Sequence, residues 1–306
     1  MSVGRTRPLG VGLMLPDTER EMAGGTARWA DLAAMARTAE DCGFDSIWVS
    51  DHLLFRFEGK EPQGIWECWT LLSALAAVTS RVEIGALVSC TGFRNPALLA
   101  KMADTVDEIS GGRLVLGLGA GWHEPEYDAF GYPFDHRAGR FAEALTIISG
   151  LLRHGEVDFR GTYHAACDCE LRPRGPRRHG PPIMIGSTGE RMLRLAARHA
   201  DIWNAWGKQD PAEIPPLRAI VDGACRAEGR DPASMARSVS MLVDLPGAAG
   251  RPREDPPFLT GSAETIEETL RGMAREGIGH VMVVLDPNTV AGIEALAPVL
   301  ERLDRG

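Results

Sequence analysis

The sequence has no run of about 18 consecutive apolar residues, the length that a membrane-spanning helix needs. Its first residues, MSVGRTRPLG, carry no apolar core of signal-peptide length. An excess of basic residues is also missing, since the net charge is −9 and no basic run stands out beyond RPRGPRR. We therefore expect a cytoplasmic protein that binds neither membranes nor nucleic acid.

Paired cysteines are absent as well. Cys167 and Cys169 are separated by a single residue and lack the second pair that a zinc site of this kind needs. Scattered cysteines fit a reduced compartment, where they act as small buried or half-buried side chains. We predict no metal site. The six cysteines are Cys42, Cys68, Cys90, Cys167, Cys169 and Cys225.

A regular alternation of short apolar segments and helix-like segments is present instead. The apolar segments are apolar on both faces, as parallel strands buried on both sides are. No linker or composition break divides the 306 residues. We therefore predict one TIM (β/α)8 barrel over residues 1–306 rather than a doubly wound sheet with two domains. The eight predicted strands are LGVGLML, DSIWVS, RVEIGALVS, RLVLGLG, PPIMIG, DIWNAW, VSMLV and HVMVVL.

Capping residues and turn residues mark the ends of several elements. Asn95 before Pro96 is typical of a helix start, and Gly111 is typical of a helix end. Ser262 predicts another helix start. Residues 157–180 are rich in turn residues, arginine and proline, so we predict an insertion between the fourth helix and the fifth strand.

In a TIM barrel the chemistry lies at the carboxyl ends of the strands. The fifth strand ends in GSTGERML, where glycines, hydroxyls and free backbone N–H groups meet the start of a helix. That combination favours binding of an anion such as phosphate. The alternative is an ordinary helix cap made by Ser187 or Thr188 over a tight turn.

The fourth strand ends in LGLGAGWHEPEYDAFG. Gly117 and Gly119 have the spacing of a dinucleotide-binding fingerprint, but Trp122 occupies the third glycine position, so that motif is not present. The bare backbone predicts a slot for a flat ligand, with Trp122 or His123 as its wall. The alternative is a tight turn with an exposed tryptophan.

The second strand ends in Asp51-His52. A carboxylate beside an imidazole orients the ring for proton transfer, helps to bind a metal, or is simply a solvated pair. The metal reading is weak because the first strand carries no histidine.

Three stretches resemble the luciferase-like flavin and deazaflavin oxidoreductases, and the resemblance covers nearly the whole chain. They are DSIWVSDHLL, RVEIGALVSCTGFRNPALLAKMADTVDEISGGRLVLGLGAGWHEPEYDAFG and PPIMIGSTGERMLRLAARHADIWNAW. The sequence is most similar to the branch that uses the deazaflavin coenzyme F420. The resemblance implies a TIM barrel with the cofactor ring at the carboxyl ends of the strands, and a homodimer.

The resemblance also implies roles for particular residues. A non-proline cis peptide is expected at or next to Leu87-Val88-Ser89, beneath the ring. His52 is expected near the reacting carbon. The expected cofactor contacts are Asp51 at the pyrimidine edge, Leu87, Val88, Ser89, Ala120 and Gly121 along the ring, and Gly186, Ser187, Thr188 and Gly189 at the phosphate.

One departure concerns the proton donor. Some F420-dependent members carry a catalytic glutamate at the position of Trp122 in this chain. We therefore expect His123 or Glu124 to take that role beside His52, unless the substrate needs no donor.

The resulting prediction is hydride transfer between F420 and a small organic substrate, with a separate F420 or flavin reductase as a possible partner. The alternative is an FMN-dependent monooxygenase that uses reduced flavin and oxygen. A non-catalytic flavin-binding barrel is the third possibility, and His52 argues mildly against it. Phe55, Trp66 and Trp69 are predicted to line a substrate pocket or to pack in the core. Arg251 and Arg253 either meet the glutamate-bearing tail of F420 or are solvated.

Overall fold

A computed structural model of the chain describes residues 7–245 and 258–305. It contains a closed barrel of eight parallel strands, which confirms the predicted TIM-barrel fold. The strands, in chain order, are β1 Gly10–Met14, β2 Ser46–Val49, β3 Leu54–Phe55, β4 Gln63–Gly64, β5 Glu83–Ala86, β6 Ser89–Cys90, β7 Leu114–Gly119, β8 Glu156–Arg160, β9 Ala165–Glu170, β10 Ile183–Gly186, β11 Ile202–Ala205, β12 Ala236–Asp244, β13 Leu259–Thr260 and β14 His280–Asp286.

The barrel strands pair in the order β1, β2, β5, β7, β10, β11, β12, β14, and β14 pairs back with β1. Helices surround the barrel and bury its outward-facing apolar side chains. They are α1 Trp29–Asp41, α2 Cys68–Val78, α3 Pro96–Ser110, α4 Glu124–Phe130, α5 Arg137–His154, α6 Glu190–His199, α7 Ile214–Ala227, α8 Ala263–Arg275 and α9 Val290–Asp304.

The predicted helix caps are confirmed. The Asn95 side chain accepts hydrogen bonds from the N–H groups of Ala97 and Leu98 at the start of α3. Gly111 ends α3 with a φ of +68°, in the left-handed region that glycine tolerates. Ser262 caps α8 in the predicted way. Helix caps can be predicted from the sequence because a cap depends on residues that are near neighbours in the chain.

The predicted insertion is an antiparallel hairpin, β8–β9, between α5 and β10. Val157, Phe159, Ala166 and Cys169 pack against the hydrophobic core, while the alternate residues of β8 are exposed. This alternation is the pattern of a strand with one buried face.

The third barrel strand is interrupted by a bulge. Gly85 pairs with Val115 and Ser89 pairs with Leu118, so three residues on this strand stand opposite two on β7. The peptide bond between Leu87 and Val88 within the bulge is cis, as the family resemblance implied.

A polar network lies inside the barrel near the amino end of β14. The His280 Nε2 atom lies 2.7 Å from the Ser46 hydroxyl, and the Trp48 indole N–H donates to the same oxygen at 2.6 Å. Gly10 and Gly12 are required beside it, because a Cβ on either would lie within about 3 Å of the imidazole. Burial lowers the pKa of His280 to about 4.

This network predicts acid sensitivity. The unfolded chain protonates His280 near pH 6.5, whereas the folded chain does so near pH 4, so the unfolded state binds more protons between these values. Stability is therefore complete above about pH 6.5 and falls by on the order of 3 kcal/mol as the pH drops towards about 4. Urea unfolding at a series of pH values measures this. A His280→Asn variant should show a shallower pH dependence, and an unchanged dependence would contradict the assignment.

Candidate active site

The predicted site residues gather at the carboxyl ends of the barrel strands, a face that we call the mouth. Asp51 and His52 follow β2, Ala120 and Gly121 follow β7, and the Gly186–Gly189 segment joins β10 to α6. The closed barrel thus brings together segments from three separated parts of the chain.

His52 is paired with a residue that the sequence had not singled out. Its Nδ1 atom lies 2.8 Å from Oε1 of Glu126, and the N–H of Leu53 donates to Oε2 of the same carboxylate at 2.8 Å. Glu126 is completely buried, whereas His52 remains partly exposed. Within residues 7–245 and 258–305, the other ring nitrogen of His52 has no hydrogen-bond partner. The arrangement suits an imidazole that exchanges a proton with a ligand.

Glu126 escaped prediction because it looks like an ordinary acidic residue in the first turn of a helix. Glu124 and Glu126 are two positions apart on α4 and therefore project to opposite sides of the helix. Glu126 points into the protein and Glu124 is exposed. Helical spacing from Pro125 could have indicated that only one of the two glutamates faces the barrel.

His123 has a structural position. Its Nε2 atom accepts a hydrogen bond from the N–H of Arg56 at 2.9 Å, and an accepting nitrogen carries no proton. Burial also lowers the pKa of this imidazole. His123 and Glu126 together fix the backbone of residues 53–56. The catalytic roles of His52, His123 and Glu124 stay predictions.

Aromatic rings cover this part of the mouth. The Phe55 ring centroid lies 4.5 Å from that of His52, and Trp122 meets His52 edge to face at 5.5 Å. Phe57 and Trp122 are stacked at 6.4 Å, and both are exposed at about half their surface. These exposed rings form an apolar wall beside the His52 imidazole.

The predicted aromatic pocket is only partly formed. Phe55 belongs to this wall, and Trp66 is 41% exposed. Trp69 is buried, and its indole N–H donates to the Ser89 hydroxyl at 3.0 Å. Ser89 is fully buried and its hydroxyl accepts from Trp69, and its contact with a cofactor stays a prediction.

The Asp51 side chain is also buried beneath the mouth. Both carboxylate oxygens accept from the Arg94 guanidinium, at 2.6 and 3.0 Å, and the Cys90 N–H donates to one of them at 2.9 Å. Burial raises the pKa of Asp51, and Arg94 limits that rise. This fully buried carboxylate fixes the loop after β6, and its contact with a pyrimidine edge stays a prediction.

Protein atoms occupy the space beside the glycines at the end of the fourth strand. A Cβ on Gly117 would lie 2.0 Å from the Ala86 carbonyl oxygen, and one on Gly119 would lie 2.7 Å from Val88. A Cβ on Gly121 would lie 2.0 Å from the Tyr127 hydroxyl. Packing against the bulge and Tyr127 therefore requires glycine at these three positions, and the slot for a flat ligand stays a prediction.

Two of the residues predicted to contact the cofactor ring lie in the bulge. Leu87 and Val88 are partly buried and pack on the apolar cluster inside the barrel, which includes Met14, Trp48 and Met184. Ala120 is likewise half-buried, and its carbonyl accepts from Tyr127. The contact of Leu87, Val88 and Ala120 with a cofactor stays a prediction.

The Gly186–Gly189 segment is open. A Cβ on Gly186 would have no neighbour closer than 3.5 Å, and Thr188 and Gly189 are exposed. The Ser187 hydroxyl accepts from the Gly189 N–H at 3.2 Å, and no side chain caps the first turn of α6. The donors at this helix start are therefore available to an anion, so the segment fits a phosphate group.

Other features bear on the class of site. No group of three His, Cys, Asp or Glu side chains in the described ranges is arranged to hold a metal ion. No helix within those ranges has the length and apolarity to cross a membrane. Arg251 and Arg253 lie outside the described residues.

Comparison with known proteins places the chain in a family. The family model described as luciferase-like monooxygenase matches residues 9–245. The chain belongs to this family, and it is an enzyme of the luciferase-like oxidoreductase and monooxygenase group.

Curated relatives match over part of their length. The pyrimidine monooxygenase RutA of Cronobacter sakazakii is 37% identical over 209 residues, which cover 65% of this chain and 60% of the relative. The RutA of Escherichia coli is 35% identical over 211 residues, which cover 65% and 56%. The match thus spans a little over half the length of these relatives.

Solved structures share the fold. An F420-dependent secondary alcohol dehydrogenase, in complex with an F420–acetone adduct, aligns with a TM-score of 0.81 and 19% identity, covering 96% of this chain and 99% of the other. The monooxygenase RslO1 from Streptomyces bottropensis aligns with a TM-score of 0.73 and 18% identity, covering 96% and 99%.

Proposed function

We propose that the protein transfers a hydride between coenzyme F420 and a small organic substrate. The observation that carries this proposal is the His52–Glu126 pair at the mouth. A hydride that reaches a carbonyl or an activated double bond leaves a negative charge that must acquire a proton, and the reverse reaction must lose one. An imidazole that has a buried carboxylate on one nitrogen and its other nitrogen free is equipped for either direction.

The residues of the mouth fit a flat cofactor that carries a phosphate. In this proposal Gly186, Ser187, Thr188 and Gly189 hold the phosphate through the uncapped start of α6. Leu87 and Val88 support the ring, with Ala120 and Gly121 beside it. When bound, the deazaflavin supplies a carbon-centred hydride donor or acceptor.

The chain's own groups would then orient the substrate and move the proton. Glu126 holds the His52 ring through Nδ1, so that Nε2 faces a bound ligand. Phe55, Phe57 and Trp122 exclude water from one side of the substrate and favour a planar or apolar one.

A second candidate is oxygenation by reduced FMN, with the flavin supplied by a separate reductase. The observation that favours it is the 35–37% identity to relatives named pyrimidine monooxygenase, which exceeds the identity to the F420-dependent structure. The same mouth and the same phosphate segment would serve FMN. A homodimer and a cytoplasmic location remain predictions for both candidates.

Cofactor titrations separate the two candidates. Trp122 and Trp206 are both more than half exposed at or near the mouth, so tryptophan fluorescence should report a ring that binds there. We expect oxidised F420 to quench it with a Kd at least about tenfold below that of FMN, a difference of about 1.4 kcal/mol.

A Trp122→Phe variant is the control, and it should lose much of the quenching while still binding cofactor, as measured by calorimetry. Tighter binding of FMN would move the function to the oxygenase. Binding of neither cofactor would overturn the proposal.

A further inference from the structure

The β3–β4 hairpin covers part of the mouth and forms a sheet separate from the barrel. Its two strands share two residue pairs, and residues 56–62, which include the tip, are exposed. The Phe55 ring centroid lies 4.5 Å from that of His52, so the hairpin shields this imidazole. A two-stranded hairpin this short is not stable alone, and its position therefore depends on its contacts with the rest of the protein.

One side of the hairpin is attached to the segment after β1. The Glu19 N–H donates to the Gly64 carbonyl at 2.9 Å, and the Gly64 N–H donates to the Glu19 carboxylate at 2.7 Å. The Arg20 guanidinium donates to the carbonyls of Glu61 and Pro62 at 3.3 and 3.1 Å. Backbone groups and a guanidinium do not titrate near neutral pH, so these bonds persist there.

The other side is attached to α4 and to the residue before it. Glu126 accepts from the N–H groups of Leu53 and Leu54, at 2.8 and 3.4 Å. His123 accepts from the Arg56 N–H at 2.9 Å through Nε2. The bond to His123 lies closer to the tip of the hairpin than the two bonds to Glu126. It therefore holds the part of the hairpin that carries the aromatic rings of the mouth.

The bond from Arg56 requires a neutral His123. An imidazole nitrogen accepts a hydrogen bond only when it carries no proton. Protonation of Nε2 would place a second N–H donor against the Arg56 N–H. Because His123 is only 4% exposed, the new donor reaches water only if the hairpin moves. The Phe57 ring, 4.9 Å from the imidazole, is itself exposed and attracts a cation only weakly.

The charged groups around His123 keep it neutral at pH 7. Burial lowers the pKa of His123, the Glu126 carboxylate opposes this shift, and His52 adds to it. His123 therefore takes up its second proton below the ordinary histidine value of about 6.5. The charged residues of the hairpin itself are exposed, and they are Arg56, Glu58, Lys60 and Glu61.

We propose that the β3–β4 hairpin is a lid over the mouth and that His123 holds it closed only while the imidazole is neutral. On protonation the β3 side detaches near Arg56, whereas the β4 side stays attached to the segment after β1. Phe55 and Phe57 then move away from His52, and the mouth opens. His123 acts here as a positioning residue. The lid operates with either candidate cofactor and stands independently of the proposed function.

Hydrogen–deuterium exchange of the protein without added ligand tests the lid. The readout is the protection of the peptide that contains Arg56, corrected for the intrinsic exchange rate at each pH. For the wild-type protein we expect this protection to fall about fivefold or more between about pH 7.5 and about pH 5. A peptide from β12 should stay protected over the same range, because loss of protection in both would report unfolding of the whole molecule.

Variants of His123 separate the lid from other effects of pH. His123→Ala removes the acceptor, so the hairpin should be as weakly protected at about pH 7.5 as the wild-type hairpin is at about pH 5. His123→Gln keeps an acceptor that does not titrate, and its protection should exceed that of His123→Ala and be independent of pH. His136→Ala is the matched control, because His136 also precedes a helix and its side chain makes no capping bond. It should behave like the wild-type protein.

Trypsin gives a second readout at a single pH. Arg56 and Lys60 are exposed on the hairpin, and cleavage after them should be about fivefold faster in His123→Ala than in the wild-type protein. Thermal unfolding verifies that each variant is folded. Protection of the wild-type hairpin that does not change with pH would overturn the proposal. A fall of the wild-type size in His123→Ala would overturn it too, because another group would then control the hairpin.

Discussion

Replacing Glu126 with glutamine is expected to lower kcat by about 100-fold while the protein remains folded. The carboxylate contacts His52 Nδ1 through Oε1 and the Leu53 N–H through Oε2, each at 2.8 Å, and a glutamine replaces one of these oxygens with an NH2 donor, so it cannot reproduce both contacts. The imidazole then loses its fixed orientation. The measurement is steady-state turnover of F420 with a reducible or oxidisable substrate, recorded across a range of pH.

The chain offers a matched control on the same helix. Glu124→Gln changes an exposed carboxylate two residues earlier and should alter kcat by less than about twofold. His52→Ala should cost at least as much as Glu126→Gln, and the double variant should be little worse than His52→Ala, because the two residues act as a unit. Full activity of Glu126→Gln with an unchanged pH profile would show that Glu126 only supports the loop. A large loss in Glu124→Gln would return that residue to the role first predicted for it.

Replacing Gly121 with alanine is expected to destabilise the protein by about 3–5 kcal/mol. Gly121 has a φ of +73°, which strains any residue with a Cβ. The added methyl would also lie 2.0 Å from the Tyr127 hydroxyl and 2.8 Å from the Cys90 sulfur, both in a buried cluster. The free energy of unfolding in urea measures the effect.

A Gly131→Ala variant separates the cost of backbone strain at positive φ from the cost of the clash with Tyr127 and Cys90. Gly131 has a φ of +76° but no atom within 4 Å of an added Cβ, so its substitution should cost only about 1 kcal/mol. Introducing Tyr127→Phe into the Gly121→Ala variant should recover part of the loss, because the nearest clashing atom is then absent. Equal costs at Gly121 and Gly131 would contradict the packing that we describe around Tyr127.

The architecture could be predicted because its signals are local. Each barrel strand is apolar on both faces, and caps such as Asn95 and Ser262 depend on residues a few positions away. The carboxyl ends of the strands follow from the fold, so the region of the site followed too.

The contacts within the site could not be predicted because they connect distant residues. His52 and Glu126 are 74 positions apart, and nothing in the sequence pairs them. The sequence predicts a ligand slot at Gly117 and Gly119, whereas these glycines are required by atoms of Ala86 and Val88 on the neighbouring strand. Recognising this would have needed the register across a bulge that adds one residue.

The central claim is that the mouth binds a flavin-type cofactor with its ring beside His52 and its phosphate at the start of α6. A crystal structure of the protein with oxidised F420 tests it most directly. The account predicts ring atoms in contact with Leu87 and Val88 on one side, His52 within hydrogen-bond reach of a ligand on the other, and phosphate oxygens on the Gly186–Gly189 segment. A cofactor bound elsewhere, or a phosphate that avoids this segment, would contradict it.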